Sequence, residues 1–186
     1  MPTKADLGTG LDAVALLKAD HRKVEELFEK FESAKGKAPK EKLAKTICTE
    51  LIVHTMIEEE IFYPACQGEI EEHTVDEAYV EHDGAKVLIA EILATDPSAE
   101  FFDAKVKVLS EMIKHHVKEE ERRAEGMFAQ ARAAGVDLDS LGAELAARKK
   151  SLLAEIKQGG LPTPTTRSFA GGELKRGKPE PHAFIS

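Results

Sequence analysis

Tryptophan is absent from this 186-residue chain, and only 2 Tyr and 8 Phe take its place. A core of useful size must then be packed mainly from aliphatic side chains and alanine. Cysteine occurs only as Cys48 and Cys66, in no CxxC or zinc-ribbon spacing. That excludes a disulfide framework and reads as two reduced thiols in a cytoplasmic protein. No run of about 20 apolar residues and no basic-then-apolar opening occurs, so neither membrane spanning nor secretion is expected. Positive charge is also short: 26 Lys and Arg stand against 34 Asp and Glu, a formal net charge of −8. An acidic chain with no basic stripe gains nothing from counterion release, so nucleic acid is not an expected partner. A nucleophile triad, a phosphate loop and a dinucleotide fingerprint are all missing.

What is abundant is Ala, Leu, Glu and Lys, the strong helix formers. Val14, Leu17, Val24, Phe28 and Phe31 recur at three-, four- and seven-residue steps and predict a first amphipathic helix ending near Gly36. Pro39 suits the first turn of a second helix running to Ala65, with Leu43, Ile47, Leu51 and Ile61 on its inner face. Thr74 with Glu77 reads as a capping box for a third helix, which Asp96-Pro97 ends. Ser98 can cap a long fourth helix that carries Val106, Leu109, Ile113, Met127 and Phe128 and closes at Gly135. A fifth covers roughly Asp139 to Lys157. The expected architecture is all-α, an up-down-up-down four-helix bundle with an additional C-terminal helix. Its expected divisions are a flexible N-terminus over 1–10, the bundle over 11–158, and a Pro/Gly-rich extended tail over 159–186.

The apolar stripes are interrupted in a patterned way. His21 falls between Leu17 and Val24, His54 and Glu58 between Leu51 and Ile61, His82 between Ala78 and Ala85, and His116 and Glu120 after Ile113. Every step is three or four residues, so each polar side chain points inward with its apolar neighbours. Depths agree as well. His54 and Glu58 lie 11 and 7 residues before Ala65, and His82 lies 7 after Val75. At about 1.5 Å per residue, antiparallel helices bring these within a turn of one another. The third-to-fourth step fits less well, because His82 is 12 residues from Ala94 and His116 is 18 from Ser98. Either a separate turn precedes the fourth helix or that helix overhangs the bundle.

A lone buried histidine is most often a hydrogen-bonded core residue, and a lone HxxxE is most often a solvated face. Four inward histidines and two inward carboxylates at one depth are different, since unpartnered buried carboxylates cost several kcal/mol each. A metal removes that cost. Mixed imidazole and carboxylate donors suit iron, manganese, copper or zinc over calcium or magnesium. Six side chains exceed the four of a structural zinc site. Two ions sharing two carboxylates would use all six, which suits a pair of irons and ranks manganese and zinc below. The ferritin-like Glu-x-x-His pattern is absent; the order here is His-x-x-x-Glu.

Asp20-His21, the run ELIVHTMIEEEIFYP (50–64), Glu81-His82 and KHHVKEEE (114–121) resemble the hemerythrin-like HHE cation-binding family over about residues 11 to 135. The resemblance implies an oxo- or hydroxo-bridged di-iron centre held by His21, His54, Glu58, His82, His116 and Glu120. It further implies a small ligand such as O2, peroxide or nitric oxide. Oxygen-carrying members have a second histidine four residues after the one on helix three, where this chain has Lys86. That favours sensing, peroxide or nitric oxide chemistry, or iron handling over reversible carriage. The other class is a metal-stabilised regulatory or interaction module without turnover. Carriers also use an acid five residues after the last histidine, so Glu121 is the runner-up to Glu120. Glu25 and His115 fall off the inward face, and His73 and His182 lie in a connector and the tail. Glu59 or Glu60 could support a ligand histidine from behind. Tyr79 reads as packing, with a bound oxygen species as its other use.

Overall fold

The structure is a computed structural model that describes residues 10–173 and 175. Residues 1–9 of the expected N-terminal stretch and 174 and 176–186 of the expected tail, with His182, lie outside the described residues. The elements are α1 (Ala13–Ser33), α2 (Lys37–Ile57), a π turn (Glu58–Phe62), α3 (Tyr63–Cys66), α4 (Glu72–Ala94), α5 (Phe102–Glu121), α6 (Met127–Ala134) and α7 (Leu138–Gly159). No strand occurs among the described residues. α1 packs against α2 and α5, and α4 against α2 and α5, which closes a four-helix bundle; α7 lies outside, against α1, α2 and the π turn.

Two apolar clusters fill the bundle. One gathers Leu17, Ile57, Phe62, Cys66, Val75 and Phe128 near α7. The other gathers Phe28, Phe31, Ile47, Leu51, Ile89 and Leu109 toward the far end. Each fully buried Leu or Ile contributes about 1.5–3 kcal/mol over exposure. The inward polar residues occupy the layer between the clusters. Cys48 and Cys66 are free and buried, and burial pushes both thiols up to about 12.

Three sequence expectations change. Thr74 caps nothing: α4 begins at Glu72, and Gln130 of α6 accepts from the Glu71 amide at 3.0 Å, so another helix closes this end. Ser98 sits in a turn with its amide on Asp96 Oδ1, and α5 starts at Phe102. His116 is then 14 residues from the helix start, which removes the depth mismatch with His82. The fourth helix is not continuous. It stops at Glu121, loops through Gly126 and resumes as α6. A Cβ on Gly126 would lie 2.6 Å from the Arg122 amide, so the loop closes around a glycine. Gly135 does end α6 in the left-handed region at φ +80°, with the Val136 amide on Ala131 O.

α7 is fastened where Gly142 meets the start of α1. A Cβ there would strike the Leu11 carbonyl and lie 2.9 Å from the Ala13 amide. Backbone cannot yield as a side-chain tip can. Gly142→Ala should cost about 1–3 kcal/mol by overpacking, measured as a lower urea midpoint, whereas Gly159→Ala, with open space around it, should be near neutral.

Candidate metal centre

All six sequence-predicted residues come together, and none is more than 5% exposed, so water cannot satisfy them. His21 Nε2 of α1 lies 3.2 Å from His54 Nε2 of α2. His82 Nε2 of α4 lies 3.1 Å from His116 Nε2 of α5. The two carboxylates span both pairs. Glu58 Oε2 is 3.1 Å from His54 Nε2 and 3.3 Å from His82 Nε2. Glu120 reaches His21 Nε2 at 3.4 Å and His116 Nε2 at 3.5 Å. Two groups of donors result, His21–His54–Glu58–Glu120 and Glu58–His82–His116, each with ligand atoms within 4.8 Å of one another.

Glu58 Oε1 and Glu120 Oε2 are buried without a hydrogen-bond partner. Orphaned carboxylate oxygens facing clustered imidazole nitrogens are costly as a purely structural core. As a donor set they fit transition-metal cations.

Behind each imidazole stands a second carboxylate. Glu121 lies 2.8 Å from His21 Nδ1, Glu59 2.9 Å from His82 Nδ1, and Glu81 2.8 Å from His116 Nδ1. A carboxylate can only accept, so these Nδ1 atoms donate and the Nε2 lone pairs are left for the centre. Asp20 stands 3.8 Å from His54 Nδ1, too far for a hydrogen bond yet close in charge. Basic side chains hold three of the carboxylates in turn, Arg22 on Glu121, Lys149 of α7 on Asp20 and Lys86 on Glu59, and His115 lies 3.3 Å from Glu81.

The electrostatics follow from this crowding. Burial alone would lower His54, but the Glu58 charge and contacts with Asp20 and Glu58 outweigh it and raise the imidazole to about 10. His116 is raised against burial by Glu120 and Glu81. Burial would raise Glu58, but the His54 charge and the close approach of the His54 and His82 imidazoles to Oε2 hold it well below the usual range.

Tyr63 is the residue that the sequence did not reveal. It is fully buried, with its hydroxyl 3.0 Å from His82 Nε2 and donating to Glu120 Oε1 at 3.1 Å. Burial and the charges of Glu120 and Glu58 push it well above its ordinary value, so it stays a donor. The π turn places it there. The Tyr63 amide donates to Glu58 O, an i→i+5 bond that brings residue 63 back toward the face of residue 58. Pro64 was the available signal, since proline inside a regular helix clashes with the carbonyl four residues back. Tyr79 instead packs edge-on against Tyr63 at 5.2 Å. Glu25 pairs with Arg22 at the surface, His115 is exposed, and His73 meets Glu71. Phe128 stacks on His21 at 5.8 Å, which the break before α6 permits.

A cleft of ≈ 930 Å³ between the first half of α4 and the end of α5 reaches His116 and Glu120 from outside. Seven carboxylates and one guanidinium line it.

Residues 12–128 match the family described as Hemerythrin HHE cation binding domain. The chain belongs to this family. A hemerythrin HHE cation binding domain-containing protein from Mycobacterium kansasii has a similar fold, with a TM-score of 0.68 at 22% identity over 81% of this chain and 95% of that one. A protein named DNA nickase from Nostoc sp. (strain PCC 7120 / SAG 25.82 / UTEX 2576) is 30% identical over 106 residues, 57% of this chain. The chain spans 30% of that protein's length. Among the described residues, no helix is long and apolar enough to cross a membrane.

Proposed function

We propose that this hemerythrin HHE chain is a non-haem di-iron protein of the cytoplasm that binds, senses or reacts with O2, peroxide or nitric oxide. Its ligands are His21, His54, Glu58, His82, His116 and Glu120. The observation that carries this reading is that Glu58 and Glu120 each span both histidine pairs, as carboxylates shared between two ions would. When bound, the iron pair supplies electrons and open coordination positions for a small oxidant. The chain's own contribution is orientation and exclusion. Glu121, Glu59 and Glu81 fix the imidazoles through Nδ1. Phe128 and Phe62 keep one side dry. The Tyr63 hydroxyl offers a proton or hydrogen bond beside His82 and Glu120.

The identity of Lys86 supports use other than carriage. Its ammonium pairs with Glu59 and Asp83 at 2.7 and 3.1 Å, and it supplies no imidazole to the His82 side. Nickase activity is not carried over from the Nostoc protein. The net charge of −8 and the acid-lined cleft both oppose a polyanion.

Metal analysis of protein reconstituted with ferrous iron should give two irons per chain, with an oxo-to-iron charge-transfer band in air. Stopped-flow mixing of the reduced protein with O2, peroxide and nitric oxide then separates binding from consumption. Fewer than one iron per chain and no such band would refute the di-iron reading.

A further inference from the structure

Asp83 is fully buried one residue past His82, yet its partners come from far along the chain. Its Oδ2 accepts from the Arg167 amide at 2.7 Å, the Ser168 amide at 2.5 Å and Ser168 Oγ at 2.8 Å. Its Oδ1 accepts from Lys86 Nζ at 3.1 Å. Lys86 is only 6% exposed and also donates to Glu59, whose Oε1 meets His82 Nδ1 at 2.9 Å. A second chain of contacts starts at the same place. The Arg167 guanidinium lies 4.3 Å from the Tyr79 ring centre, Tyr79 abuts Tyr63, and the Tyr63 hydroxyl is 3.0 Å from His82 Nε2. Two adjacent residues beyond α7 therefore connect to both ring nitrogens of one histidine.

Fastening a loose segment would need only Asp83. It would not need a buried ammonium, whose desolvation is costly unless it is fully paired. Lys86 is paired by two carboxylates, one held by the tail and one holding His82. We infer that the segment around Arg167 and Ser168 is a positioning strap for His82. It fixes Asp83 and Tyr79, and through Lys86–Glu59 and Tyr63 it sets the orientation of that imidazole toward the centre. Arg167 and Ser168 are thus positioning residues of the metal centre, although both lie outside the 12–128 family match. The inference rests on the di-iron reading for its consequence, and on the chain alone for its geometry.

The test is the double substitution R167P/S168P in the full chain, which removes both amide donors to Asp83 together with the hydroxyl and the guanidinium. In the metal-free protein, long-range ¹H–¹⁵N spectra of the imidazoles should show His82 displaced, with His21 and His54 in place and the helical circular dichroism unchanged. In the iron-loaded protein, release to excess chelator should be about tenfold faster, the lower end of what supporting partners of ligands contribute. R167K/S168T should restore both, because it keeps the charge and the hydroxyl. An unmoved His82, or equal displacement of all the buried histidines, would overturn the strap. If the parent protein binds no iron, the di-iron reading fails while the His82 signal still decides the strap.

Discussion

Glu58→Ala should reduce iron content from two per chain to below one, whereas His21→Ala should leave roughly half. The difference follows from geometry. Glu58 belongs to both donor groups, and its Oε2 approaches a histidine of each. His21 belongs to only one. Removing Glu58 also leaves His54, raised to about 10 mainly by that charge against burial, without its strongest counter-charge. Its imidazole should titrate nearer the ordinary value, so the metal-free variant needs no compensating carboxylate and should still fold. Circular dichroism separates loss of metal from loss of fold. Parent-like iron content in a folded Glu58→Ala protein would contradict the shared-carboxylate site.

The second large effect is a pH dependence that metal should cancel. In the metal-free chain the pKa of His54 is raised by folding. Its contribution is complete below the ordinary 6.5 and is lost as pH rises through about 10. Glu58 runs the other way. Its pKa in the folded chain lies well below the ordinary 4.5, so its contribution is present above 4.5 and lost as pH falls through the lowered value. The metal-free protein should therefore be most stable between about 4.5 and 6.5. Toward pH 10 it should lose on the order of a few kcal/mol, since each tenfold change in proton affinity on folding is worth about 1.4 kcal/mol. In the loaded protein the cation replaces the proton as partner of Glu58 and Glu120. The urea midpoints of the two forms should then diverge steadily from pH 6.5 to 9.5. Parallel midpoints across that range would show that protons and metal do not compete for these residues.

The bundle and the six inward polar residues were legible in the sequence because helical periodicity fixes which side chains share a face. That rule holds only while the helix is regular. Tyr63 is five residues past Glu58, and in an α-helix it would point well away from it. The π turn brings it back, so face-counting missed it. The break after Glu121 escaped notice because Met127 and Phe128 continue the apolar composition, although Gly126 marks the interruption. Thr74 failed as a cap because Gln130, 56 residues away, reaches the helix end first. The tail's role was hidden for the same reason. No local pattern in Arg167-Ser168 announces a partner at Asp83.

The outer carboxylates obey one rule. Each sits beside an inward residue, as Asp20-His21, Glu58-Glu59, Glu81-His82 and Glu120-Glu121. One position along a helix is a rotation of about 100°, enough to aim the acid at the neighbouring helix. α5 thereby serves α1, α1 serves α2, the π turn after α2 serves α4, and α4 serves α5. The four dipeptides form a closed ring with a single sense of rotation, set by the handedness of the helices. Every helix both gives a support and receives one, so the centre has no first or last member. A one-residue slip in any helix would unhook two joints at once, its own histidine and the one it serves.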